Sequence, residues 1–423
     1  MTLKNASLNE LKNWEKVLES KHNKFRDSSI NIDLTRGKPS EKQLDLSNEI
    51  FNLPKKKIIF DDNSDLRNYG GIDGIRVARK LGGEILGISE SEVITGDNSS
   101  LSLMYLYVLH ALYHGVQGSE TAWVKEGKIK FIAVVPGYDR HFSICEDLGI
   151  RMINVNIKDD GPDMNSVEKL VRDDPLIKGI WCVPKYSNPT GIIYSNEVVE
   201  RIAALGRIAG PNFRVMWDNA YAVHDLSENP KQLANVMDFC KSYGTEDNLI
   251  LTASTSKITF AGGGISFLGT SKKNLEYFKK RLSIMSIGPN KLNQKSHTLF
   301  LKNLKCLKNH MLEHAKILRP KFEIVNNFLE KELGGKEVGT WFKPEGGYFI
   351  SFDCLDGLAS EIILLAGEAG LKITPAGSTF PYGRDPNDKN IRLAPTYPSL
   401  EELELAMQIF INSVLLASVR KFS

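Results

Sequence analysis

Two short polar runs carry residue types that could do chemistry together: Asp218-Asn219-Ala220-Tyr221 and Ser254-Thr255-Ser256-Lys257. Each follows an apolar stretch, Val215-Met216-Trp217 for the aspartate and Leu249-Ile250-Leu251 for the lysine. An amine and a carboxylate delivered at two strand ends can hold an aldehyde cofactor of the pyridoxal phosphate kind. The amine forms a Schiff base, and the carboxylate keeps the pyridine nitrogen protonated so that the ring withdraws electrons. A third polar run, Ser187-Asn188-Pro189-Thr190-Gly191, follows Gly179-Ile180-Trp181-Cys182-Val183. Taken singly, each has a plainer meaning. Aspartate after a strand often caps a helix, Asn-Pro-Thr-Gly is a good turn, and one lysine is usually surface. Their convergence is what makes a site.

The elements that must position these residues follow from hydrophobic patterning. Apolar runs of strand length occur at Val93-Ile94, 131–135, 153–155, 180–183, 215–217, 249–251 and 265–268, with helical patterns such as 198–208 between them. Runs apolar on both faces, alternating with helices, predict an α/β architecture: a mostly parallel seven-stranded sheet sandwiched by helices. Ligands of such sheets sit beyond the C-terminal strand ends, where the polar runs fall. The stretch 304–333 predicts a long helix. Beyond it, 341–353 and 389–394 read as strands of a smaller α+β domain. The expected division is a helix and joining segment at 1–56, a large domain at 57–310 and a small domain at 311–423.

Composition agrees with a globular chain: 423 residues, 42% hydrophobic and 25% charged, with a net charge of only +3. Lys55-Lys56-Lys57 is the sharpest basic run and reads as a solvated loop, so no nucleic-acid partner is expected. No apolar run reaches the roughly 18 residues of a membrane span. Residues 1–21 place Leu8, Leu11, Trp14 and Leu18 on one face of an amphipathic helix, unlike a signal peptide. The five cysteines (Cys145, Cys182, Cys240, Cys306, Cys354) show neither CxxC pairing nor metal-ligand spacing. They are expected as free thiols in a reducing cytoplasm, and no metal is expected.

Asn188-Pro189-Thr190-Gly191, Asp218 with Tyr221, and Ser254-x-Ser-Lys257 resemble the signature of the class I aminotransferases, the fold type I pyridoxal-phosphate enzymes. Glu345-Gly346-Gly347-Tyr348-Phe349 and Asn390-Ile391-Arg392-Leu393 extend the likeness over nearly the whole chain. Within the family it is most similar to a bacterial-type aspartate aminotransferase subgroup. The resemblance implies roles. Lys257 would form the Schiff base and carry the proton, and Asp218 would face the pyridine nitrogen with His141 behind it. Asn188 and Tyr221 would bond the phenolate oxygen, and Tyr138 would stack on the ring. Ser99 and Ser100, which precede the helical run 101–106, are candidates for holding the phosphate at a helix start, and by resemblance Ser254 would contact it as well. Tyr69 would reach the phosphate of a neighbouring subunit, implying a homodimer with shared sites. Arg392 would bind the substrate α-carboxylate bidentately, Gly37 and Phe349 would line the pocket, and an Asn188-Pro189 bond in cis is expected.

One departure stands out. The family places an arginine shortly after the Schiff-base lysine, paired with the phosphate, whereas here the sequence runs Ile258-Thr259-Phe260-Ala261-Gly262-Gly263-Gly264-Ile265-Ser266. A substitute cation is expected, with Arg140 and Lys185 as candidates. A dicarboxylic substrate also needs a second cation, which Arg36, Lys38 or Lys291 could supply. The expected function is amino-group transfer from an acidic amino acid, L-aspartate, to 2-oxoglutarate by ping-pong aldimine and ketimine chemistry. The alternatives are a carbon–sulfur β-lyase on the same scaffold, or transfer from aromatic or other amino acids. A DNA-binding regulator built on this fold is disfavoured by the short stretch before Asp33, and no GxGxxG follows a strand to suggest a redox enzyme.

Overall fold

The computed structural model describes residues 3–61, 64–119 and 121–423. Its largest sheet runs in the order Val93–Thr95, Ser266–Gly269, Leu249–Ser254, Arg214–Asp218, Ile177–Cys182, Lys130–Val135, Arg151–Lys158, Gly161–Pro162. The five strands from Leu249–Ser254 through Arg151–Lys158 are mutually parallel, while Ser266–Gly269 lies antiparallel to both its neighbours. All seven expected strands are present. The sheet has an eighth, because the two-residue Gly161–Pro162 folds back antiparallel on the edge, too short to leave a hydrophobic pattern.

The inner strands Ile177–Cys182 and Arg214–Asp218 are buried at every position. Helices on both faces bury them, which is why their sequences lack a polar alternation. Because the strands are parallel, the turns that follow 130–135, 177–182, 214–218 and 249–254 emerge at one edge. The turn after Val93–Thr95 joins them.

A second, antiparallel sheet orders Gly339–Trp341, Ile350–Cys354 and Asn390–Leu393. The run expected as strand over 341–353 is thus broken: 342–349, with Gly346 and Gly347, is a loop, since Gly347 takes φ 80°. Ile32–Asp33 pairs in parallel with Leu371–Lys372, tying the N-terminal segment to this part.

The helix Leu304–Leu333 runs as expected, straight through position 310, with Pro320 inside it. The N-terminal helix spans Leu8–Arg26, begun by a Ser7–Glu10 capping box. Leu11 is buried and Trp14 and Leu18 pack on the core, but Leu8 is 60% exposed and stands outside the expected face. Helix 198–208 proves to be Asn196–Ala204 followed by a 3-10 turn, Leu205–Arg207. Leu400–Phe422 is long and apolar enough to cross a membrane by length and composition, with two charges or fewer in its most apolar window. Most of that window is buried inside the protein, as suits a core helix.

Candidate active site

Two cavities open where the strand ends converge. The first, about 280 Å³, is lined by Lys257, Asp218, Tyr221, Asn188, Tyr138, Ser99, Ser100 and Ser254, together with Asn98 and Ser256. The second, about 460 Å³, shares Lys257, Tyr138, Asn188 and Tyr221, and adds Arg36, Gly37, Lys38, Arg140, Phe349 and Arg392. Lys257 therefore stands at the boundary of both.

Asp218 ends its strand almost fully buried. His141 Nε2 lies 3.0 Å from one carboxylate oxygen, and the Thr252 hydroxyl donates to the other at 3.4 Å. The His141 ring lies flat on Trp181, centroids 4.4 Å apart and planes at 12°. Trp181 reads in the sequence only as a strand residue and Thr252 lies just past the run 249–251, so nothing marks them as supports for the carboxylate.

Lys257 sits in the turn after Leu249–Ser254. Burial lowers its amine pKa, Asp218 opposes that shift, and Arg392 adds to it. A lowered pKa enlarges the neutral, proton-accepting fraction. Its Nζ rests over the Tyr221 ring, 5.1 Å from the centroid. Burial raises the Tyr221 hydroxyl well above the ordinary range, with Tyr138 and Asp218 adding to it. Tyr138 shifts the same way, by burial first and then by Asp218 and Asp139. Both hydroxyls stay protonated and able to donate. Two residues before Asn188, Tyr186 takes a left-handed φ of 49°, and its hydroxyl donates to Asp225 at 2.6 Å. The Asn188-Pro189 bond is cis.

At the far end of the first cavity the helix Ser100–His114 begins, with Ser99 capping it by accepting the Ser102 N–H at 3.2 Å. The Ser256 hydroxyl donates to the Asn98 carbonyl at 2.9 Å, and Ser254 donates to Ser256 at 3.2 Å. Helix-start amides and hydroxyls make an anion cradle. Among the described residues lining this cavity, Lys257 is the one cation.

Neither expected substitute for the missing arginine is there. Lys185 is pulled away, 2.6 Å from Asp225 and donating to Ala222 O at 3.0 Å. Arg140 lies on the second cavity instead, because it follows Asp139 into a helix that starts on that side. Ile265 and Ser266, near where the arginine would fall, are fully buried.

In the second cavity Arg392 is 5% exposed. Its Nη1 donates to Asp139 Oδ1 at 3.0 Å and to Asn188 Oδ1 at 3.4 Å, and its Nη2 reaches Thr374 Oγ1 at 3.4 Å. Its Nε is buried with no partner among the described residues. The guanidinium lies over Phe349, 4.9 Å from the ring centroid. Gly37 is required by that ring, since a Cβ there would come within 2.7 Å of it. Asp139, far from Arg392 in sequence, gave no prior sign of this pairing.

Arg36, Lys38 and Arg140 are exposed around the mouth, Lys38 over the Tyr397 ring at 4.4 Å. Lys291 is not with them. It lies in a separate groove beside Tyr69, donating to the Tyr69 carbonyl at 3.4 Å, and Tyr69 is 83% exposed. Both stand outside the two cavities of their own chain.

Comparison with known proteins agrees in direction. A family model described as aspartate amino-transferase matches residues 6–423. A Corynebacterium glutamicum protein named aspartate aminotransferase is 42% identical over 407 residues, covering 96% of this chain and 94% of that one. A Mycolicibacterium smegmatis protein named as an aminotransferase is 44% identical, covering 92% and 91%. The crystal structure of an aspartate transaminase from Corynebacterium glutamicum superimposes with a TM-score of 0.96 at 40% identity, covering all of both chains.

Proposed function

The chain belongs to the aspartate amino-transferase family, and from that membership we propose that it is a pyridoxal-phosphate aminotransferase taking the amino group of L-aspartate and passing it to 2-oxoglutarate. The observation that carries the reading is the convergence of Lys257, Asp218 and Arg392 on two adjoining cavities. The donor set fits the cofactor: an amine, a buried carboxylate backed by His141, an amide at Asn188, a protonated hydroxyl at Tyr221, and a hydroxyl-lined helix start. When bound, the cofactor supplies an electron-withdrawing ring.

The protein's own groups do the rest. Lys257 would hold the cofactor and, when free, move the proton at the substrate Cα. Asp218 would hold a proton at the ring nitrogen, its orientation fixed by His141 and Thr252. Arg392 would bind the α-carboxylate, with Gly37 and Phe349 shaping the pocket. The distal carboxylate would meet the positive mouth of Arg36, Lys38 and Arg140. Ser99, Ser100 and Ser254 would hold the phosphate. The exposure of Tyr69 supports a homodimer in which Tyr69 of the partner subunit closes that end. The burial of four of the five free cysteines supports a reducing, cytoplasmic setting. We retain divisions near 56 and 310 as part of the same reading.

The test is the near-ultraviolet and visible spectrum of the protein with pyridoxal phosphate, before and after L-aspartate without any keto acid. Conversion of the yellow band to a stable colourless pyridoxamine form, with one oxaloacetate per site, is expected. A yellow protein unmoved by aspartate would move the substrate elsewhere, and pyruvate with ammonia would indicate a lyase.

A further inference from the structure

We infer that Gln43 is a positioning residue for Lys257, acting through the Tyr348 hydroxyl. The inference rests on the reading of Lys257 given above.

Gln43 lies on the short helix Glu41–Asp45 and is completely buried. A buried primary amide has two N–H groups and one carbonyl to satisfy. Its Oε1 accepts the Ser40 N–H at 3.1 Å and the Ser40 hydroxyl at 3.3 Å. Its Nε2 donates to the Tyr348 hydroxyl at 3.0 Å and lies 3.2 Å from His314 Nδ1. An amide nitrogen only donates, so His314 Nδ1 is the acceptor and its proton sits on Nε2. With Gln43 donating to it, the Tyr348 hydroxyl is free to donate onward, and it reaches the Lys257 carbonyl at 3.4 Å. His310, 3.2 Å from His314, places Nε2 2.8 Å from the Ile258 carbonyl. His310 Nε2 cannot both accept the His314 Nε2 proton and donate to Ile258, so the link from Gln43 to the Lys257 turn runs through Tyr348.

That matters because Lys257 occupies a turn, where no strand ladder fixes its backbone. Tyr348 also forms part of the surface on which the amine rests. Its ring stacks on Tyr221 with centroids 6.0 Å apart, and Lys257 Nζ lies 5.8 Å from the Tyr348 centroid. His224, buried and interacting with the Lys257 backbone, stands edge-on to both rings. The groups facing the amine are therefore Asp218, Arg392, His224 and the tyrosine rings. Releasing Tyr348 from Gln43 loosens the floor and admits water beside the amine.

The experiment uses Gln43→Leu, Tyr348→Phe and the double variant. The second removes one hydroxyl only and keeps the test alive if the first folds poorly. In cofactor-free protein, the pH midpoint of Lys257 acetylation by acetic anhydride is followed by mass spectrometry. Each single variant is expected to raise the midpoint by about half a pH unit as water relieves the desolvated amine. The double variant is expected to raise it no further than the larger single, since both act on one path. With cofactor and L-aspartate, kcat is expected to fall about tenfold while KM stays within about twofold, the pattern of a lost reacting-state contact. Folded variants with the wild-type midpoint, or single effects that add in the double, would overturn the inference. A wild-type protein inert to aspartate would sink the proposed function while leaving the acetylation midpoints to decide the role of Gln43.

Discussion

At the scale of single residues, Arg392 shows how a binding group is kept ready. A guanidinium is a planar fork matched to a carboxylate, and burial makes an unfilled fork costly. Here one arm is taken by Asp139, while Nη2 makes only long contacts, to the Thr374 hydroxyl at 3.4 Å and the Thr35 carbonyl at 3.5 Å, and Nε has no partner among the described residues. Asp139 is thus an internal competitor for the substrate carboxylate. Replacing Asp139 with Asn should lower KM for aspartate by roughly threefold to tenfold, because a neutral amide yields the fork more easily. Arg392→Lys should raise KM by roughly a hundredfold, since an ammonium cannot bind bidentately. Steady-state kinetics and titration with a plain dicarboxylate such as succinate check both. An unchanged KM in the Asn variant would show that Asp139 already leaves the fork without cost.

At the scale of elements, the helix Ser100–His114 serves stability and binding with the same atoms. Ser99 caps it through the Ser102 N–H, and the first-turn amides face the end of the cavity away from Arg392. Ser99→Ala should destabilise the cofactor-free protein by about 1 kcal/mol, the usual worth of such a cap. It should weaken pyridoxal phosphate by about tenfold besides, through the loss of one hydroxyl donor to an anion. Thermal melts with and without cofactor separate the two effects; equal losses in both states would mean that Ser99 only caps. Because the described lining offers no cation other than Lys257, the helix start and its hydroxyls carry more of the anion binding than an arginine-bearing site would require.

At the scale of the whole molecule, the protein buries several neutral histidines. Burial lowers His314 to about 3, helped by His310, and also lowers His310, His297 and, most strongly, His224. In the unfolded chain these rings protonate near pH 6.5. Their neutral burial is therefore without proton cost above pH 6.5, and stability falls as pH drops from 6.5 toward their lowered folded values. Each such group contributes a slope of at most about 1.4 kcal/mol per pH unit in that window. Denaturant unfolding at pH 7.5, 6 and 5 should show stability nearly flat above 6.5 and steeply lost below it. A flat profile to pH 5 would refute this reading.

What the sequence by itself determined was the order of the main elements and the residues that close the strands. Polar runs closing apolar ones placed Asp218, Asn188 and Lys257 at strand ends, and parallel strands then had to bring them to one edge. Residues whose roles depend on neighbours distant in sequence were a different matter. Asp139 against Arg392, Thr252 behind Asp218, Gln43 beneath Tyr348, and the placing of Arg140, Lys185 and Lys291 were decided only by the tertiary structure. A side chain's partner there is set by how whole elements pack, and sequence periodicity carries no record of that packing.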